Sequence, residues 1–107
     1  MSILLLHAFG SGTGDVPGLI RSGDEAFARI DYPAAIAQYE EARAGRPPDP
    51  DLLWRLARAC VCSAEVAEGD ERRSLLSRGE SYARLCIAAD SMRAEGHTWL
   101  AGALGYI

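Results

Sequence analysis

The chain has 107 residues, 49% of them hydrophobic and 24% charged, which is the balance of one globular domain and speaks against a disordered or membrane-embedded polypeptide. Fifteen acidic residues against eleven basic ones give a net charge of -4, the wrong sign for non-specific attachment to nucleic-acid phosphates. Every basic residue is an arginine, which we read as compositional bias accompanying the abundant alanine.

The N-terminal residues 1–14 read as an apolar or flexible arm. Ile3 to Leu6 is a continuous apolar run, but no basic residue precedes it, no small-residue cleavage site follows it, and it is far too short to span a bilayer. The run from Gly10 to Gly14 reads as a hinge, since it lacks the lysine and hydroxyl residue that close a phosphate loop.

From Asp15 the pattern is helical to the end. Asp15 as cap and Pro17 in the first turn predict a helix running to about Ile30, with Leu19, Ile20, Ala26 and Phe27 as its apolar set. A second helix is predicted from Pro33 to about Ala44, where Ala35, Ile36, Tyr39 and Ala42 recur at three- and four-residue spacing. Asp49 and Pro50 then open a third helix through about Val66, with Leu52, Leu53, Leu56, Ala59, Cys60 and Ala64 facing inward. Asp70 is the expected cap of a fourth, whose apolar positions include Leu75, Leu76, Tyr82, Ala83, Cys86, Ile87 and Ala88. A fifth is predicted from Ala94 to about Tyr106.

The helices repeat in pairs. Leu19, Gly23, Phe27, Tyr32, Ala35, Tyr39, Ala42 and Pro47 fall close to the offsets of the 34-residue tetratricopeptide pattern, with Gly23 where two helices cross closely. A second unit opens at Pro50 and resumes at Gly79, Tyr82 and Ala83 after an insertion of roughly ten residues relative to that 34-residue period. A third starts at Ala94. The expected fold is therefore all-α: about five helices in tetratricopeptide-like antiparallel pairs forming a short right-handed solenoid over 15–107, in units of about 16–49, 50–93 and an incomplete 94–107.

Leu52 to Ala59 reads Leu-Leu-Trp-Arg-Leu-Ala-Arg-Ala, followed by Ser81-Tyr82-Ala83-Arg84 and His97-Thr98-Trp99-Leu100. That succession resembles the front part of the tetratricopeptide-like domain of the regulator of microtubule dynamics family, over about Gly23 to Tyr106. The resemblance implies an interaction scaffold associated with microtubules or organelle contacts and, in some members, lipid binding by the helical domain. The acidic net charge argues against simple electrostatic attachment to an acidic microtubule surface.

In such repeats the first helix of each pair lines the groove, which selects Ile20, Asp24 and Phe27, then Trp54, Arg58 and Val61, then Thr98 and Gly102. Trp54 and Arg58 lie four apart on one helical face. A guanidinium beside an aromatic ring can grip a peptide, a carboxylate or a lipid phosphate. The competing reading packs Trp54 in the core and pairs Arg58 with an acid such as Asp24. The last helix has no successor in this sequence to cover it, so Trp99, Leu100, Leu104 and Ile107 are expected to support self-association into a homo-oligomer, or to be covered by the N-terminal arm, or to meet further repeats of a longer protein.

No catalytic residue, metal or cofactor is expected. His7 and His97 have no evident mates, His97 taking a packing slot. Cys60, Cys62 and Cys86 are odd in number and lie in helical patterns, which favours a reducing, cytoplasmic setting and a packing role. The expected function is thus a non-catalytic scaffold for a protein or peptide partner, with no nucleic acid; the alternative is a helical domain holding a lipid or other apolar ligand, with the N-terminal arm as lid.

Overall fold

The structure is a computed structural model that describes residues 15–105. The expected N-terminal arm and the self-association residue Ile107 lie outside the described residues, as does Tyr106. Those described form five helices: α1 (Val16–Ala28), α2 (Tyr32–Arg43), α3 (Pro50–Glu65), α4 (Gly69–Ala89) and α5 (Ala94–Ala103). The all-α expectation holds.

Short polar side chains start the first three helices. Asp15 accepts the Gly18 N–H at 3.1 Å, Asp31 the Ala34 N–H at 3.2 Å and Asp49 the Asp51 N–H at 3.0 Å, each taking up a donor the helix cannot satisfy internally. A proline follows each cap, where its missing N–H costs nothing. In α4 the expected cap is displaced. The cap position is Glu68, with no side-chain bond, and Asp70 lies inside the first turn, where its carboxylate meets Arg73.

The end of α1 also differs from expectation. The helix stops at Ala28 because the Ile30 N–H bonds the Phe27 carbonyl and the Asp31 N–H the Ala26 carbonyl, both at 2.9 Å, which is a Schellman closure. That closure places Ile30 in the left-handed region, at φ 64, with its side chain 67% exposed. A β-branched residue is strained there and gains little burial in return.

Three-residue connections fold α2 back on α1 and α4 back on α3. Phe27 meets Tyr32 beside the first turn and Gly23 meets Tyr39 further from it, so the two helices run antiparallel. Gly79 lies over Cys60 and Val61, while Cys86 donates to the Pro50 carbonyl at the far end of the same pair. The extra length of this second pair is helix, since α4 runs 21 residues and the turn stays short. The third helix is central, packing against α2, α4 and α5.

Tyr39, Leu52, Leu53, Leu56, Cys60 and Cys86 are the largest fully buried side chains, and each buried leucine contributes roughly 1.5–3 kcal/mol by leaving water. Of the apolar positions expected in α4, Ala88 is exposed instead, on the face turned away from α3. Gly23 sets how closely α1 and α2 approach: a β-carbon there would lie 2.6 Å from Tyr39 Cδ1.

Two substitutions of opposite sign check this account. Gly23→Ala forces the buried Tyr39 ring to move and is expected to destabilise by about 1–3 kcal/mol in urea unfolding. Ile30→Asn relieves left-handed strain at an exposed site and is expected to stabilise by about 1 kcal/mol.

Candidate functional site

The face built by α1 and α3 carries a polar network anchored on Tyr39 of α2. The Tyr39 ring is fully buried, so its hydroxyl needs a partner, and it donates to Asp24 Oδ1 at 2.5 Å. The same oxygen accepts from Arg55 Nε at 3.0 Å. Arg55 also donates to the Asp51 carbonyl at 3.1 Å, and Asp51 Oδ1 receives Arg93 at 2.6 Å and the Trp54 indole N–H at 3.4 Å. Arg93 lies 3.9 Å from Asp90. One continuous chain of contacts thus joins α2, α1 and α3 to the entrance of α5.

Arg58 lies at the edge of that network: it pairs with no carboxylate among the described residues, and its guanidinium stands near the Tyr39 hydroxyl, whose pKa it lowers against the larger upward effects of burial and Asp24. Its guanidinium carbon lies 3.8 Å from the centre of the Phe27 ring and 5.0 Å from that of Trp54. The Arg58 Nε–H is buried and meets no acceptor among the described residues. Trp54 is half-buried and also carries Arg55 over its ring, at 4.7 Å. Each stacked guanidinium contributes about 0.5–2 kcal/mol depending on how dry it is.

The structure therefore brings Asp24, Phe27, Trp54 and Arg58 to one face, joined through Arg55 and the stacked rings. It corrects the competing pairing: Arg55, not Arg58, answers Asp24. Ile20 is half-buried against the core. Val61 is buried beneath Gly79. Thr98 is exposed on α5, and no described hydrogen bond or ring contact of the Trp54–Arg58 cluster reaches it. The role of Arg55 escaped the groove pattern, although the Asp51-to-Arg55 spacing of four is a helix-pair signal.

A second depression, of about 300 Å³, lies between α3, α4 and α5 and is lined by Cys62, Arg72, Leu76, Trp99 and Gly102 among others. Trp99 faces it and Leu100 is half-buried, so of the described residues expected to be uncovered at this end only Leu104, 41% exposed, is in the open. His97 is exposed rather than packed, with Nε2 2.9 Å from the Ser91 carbonyl oxygen.

Burial, followed by the hydrogen bond and charge of Asp24, pushes the Tyr39 hydroxyl up to about 12. Burial likewise pushes the Cys60 thiol up to about 11, which keeps it protonated and unreactive. The Arg93 hydrogen bond holds the Asp51 carboxyl below its ordinary range.

The described residues thus form an all-α chain of helix hairpins with a cation–aromatic cluster on one face. The family profile described as Regulator of microtubule dynamics protein 1-3 matches residues 19–107, and the chain belongs to that family. No curated protein and no solved structure gave a match to it. Among the described residues no helix is long and apolar enough to cross a membrane.

The raised Tyr39 value sets an alkaline limit on stability. A hydroxyl that titrates near 12 in the fold and near 10 when unfolded contributes stability that is complete below about pH 10 and lost as pH rises through 12, about 2–3 kcal/mol in all. Urea midpoints measured between pH 9 and pH 12 are expected to fall more steeply in the parent chain than in Tyr39→Phe, whose remaining slope reports groups such as Cys60.

Proposed function

We propose that the chain is a non-catalytic interaction module of the tetratricopeptide type, acting in the cytoplasm in the regulation of microtubule dynamics and gripping an extended segment of a protein partner across α1 and α3. Membership of the family supports the setting. One observation carries the choice of surface: Arg58 has a buried donor with no acceptor among the described residues, held beside two aromatic rings. A native fold rarely leaves such a donor unsatisfied without a use for it. No cofactor enters this reading.

The alternative, a carrier of lipid, has the depression between α3, α4 and α5 as its candidate volume. Its 300 Å³ stands at the bottom of the range for sites that enclose a drug-sized ligand, and a two-chain lipid is much larger. The α1–α3 face is therefore the stronger candidate.

Co-sedimentation with assembled microtubules tests the reading, comparing the parent chain with Trp54→Ala and Arg58→Gln. The parent is expected to pellet, and each variant to keep its helical circular dichroism while losing at least about tenfold in affinity, the scale of a lost interface anchor. A parent chain left in the supernatant rejects the microtubule setting; variants that pellet like the parent reject the surface.

A further inference from the structure

We propose that the Arg58 edge takes one carboxylate of an extended peptide, with the neighbouring peptide residue lying against Trp54. This assignment of ligand chemistry rests on the interaction-module reading.

Three features of the surface lead to it. First, the other two arginines of the network are occupied: Arg55 is held by Asp24 and Asp51, and Arg93 by Asp51 and Asp90. Among the described residues Arg58 has no carboxylate within ion-pair reach, so it is the cation left to meet a ligand. Second, Phe27 covers a face of the guanidinium at 3.8 Å. A ligand is thereby confined to the rim of the group, where the donors lie in one plane and match the two coplanar oxygens of a carboxylate.

Third, the surroundings set the charge of that ligand. Asp24, Asp51 and Asp90 belong to the same network and balance its three arginines one for one. A monoanion gains the pairing with Arg58 and meets limited repulsion. A phosphate dianion meets the same three carboxylates with twice the charge, and repulsion between like charges in a partly buried setting costs more than in open water. The half-buried indole of Trp54 then supplies an apolar surface for whatever residue flanks the acid.

The source of the carboxylate, a side chain or a chain terminus, is separated by the choice of probes. Four acetylated tetrapeptides of otherwise equal sequence are titrated into isotope-labelled chain: glutamate with an amidated end, glutamine with a free C-terminus, glutamine with an amidated end, and phosphoserine with an amidated end. The readouts are the NMR shifts of the Arg58 Nε–H and the Trp54 indole N–H.

The glutamate peptide, the free-terminus peptide or both are expected to shift these signals saturably, with Kd of about 1 mM, and the neutral peptide at least about tenfold less tightly. Arg58→Gln, checked for an unchanged fold by its backbone spectrum, is expected to lose the discrimination. A response to glutamate alone assigns a side-chain acid, and a response to the free terminus alone assigns a chain end. Silence from both up to about 10 mM, or tighter binding of phosphoserine than of either, overturns the carboxylate assignment. If Arg58→Gln still abolishes co-sedimentation in that event, the interaction-module reading survives without it; if it does not, both fall.

Discussion

Tyr39 must bury a hydroxyl, and much of the rest follows from how that is done. The ring is drawn against Gly23, where only a hydrogen stands between the two helices, and this leaves the phenol deep in the α1–α2 contact. An unpaired hydroxyl there would cost about 1–3 kcal/mol, so Asp24, one residue beyond Gly23, is brought to it. That in turn brings a carboxylate to the α1–α3 boundary, and Arg55 answers it from the third helix. A packing requirement between two helices has become a polar tie among three.

The tie also leaves Arg58 without a carboxylate partner among the described residues. Arg55 and Arg58 sit three apart on α3, and both reach the Trp54 ring. Arg55 is the one that takes Asp24, and it is additionally held by Asp51 four residues earlier. The other is left against Phe27 with its buried donor unused. Binding capacity at this surface is thus a by-product of how the core is assembled: the fold spends its acids on Arg55 and Arg93 and leaves one guanidinium for a partner.

Much of the architecture was legible because its causes are local. The Asp15, Asp31 and Asp49 starts combine a short acceptor with a following proline, and that signature depends on no distant contact. The Gly23 position was legible through the repeat pattern. Tertiary geometry outweighs local preference at two places: Ile30 closes α1 in a conformation that usually selects glycine, which nothing in the sequence announces, and α4 begins before the expected cap Asp70. At the candidate site, the grouping of Asp24, Phe27, Trp54 and Arg58 was read from the repeat pattern, which lays the first helix of each pair along one surface. Which arginine answers Asp24 was not legible, because positions 55 and 58 are separated by less than one turn and only the placement of Asp24 beside α3 decides between them.

A double-mutant cycle on unfolding free energy between Tyr39 and Arg55 tests most directly whether a single relay through Asp24 ties the three helices. Tyr39→Phe and Arg55→Gln do not replace one another's contacts, so any coupling passes through the carboxylate they share. The account predicts a coupling of about 1 kcal/mol, within the range found for members of one hydrogen-bond network. Losses that add to within about 0.3 kcal/mol would contradict it and reduce the polar contacts of α1 and α3 to independent surface pairs.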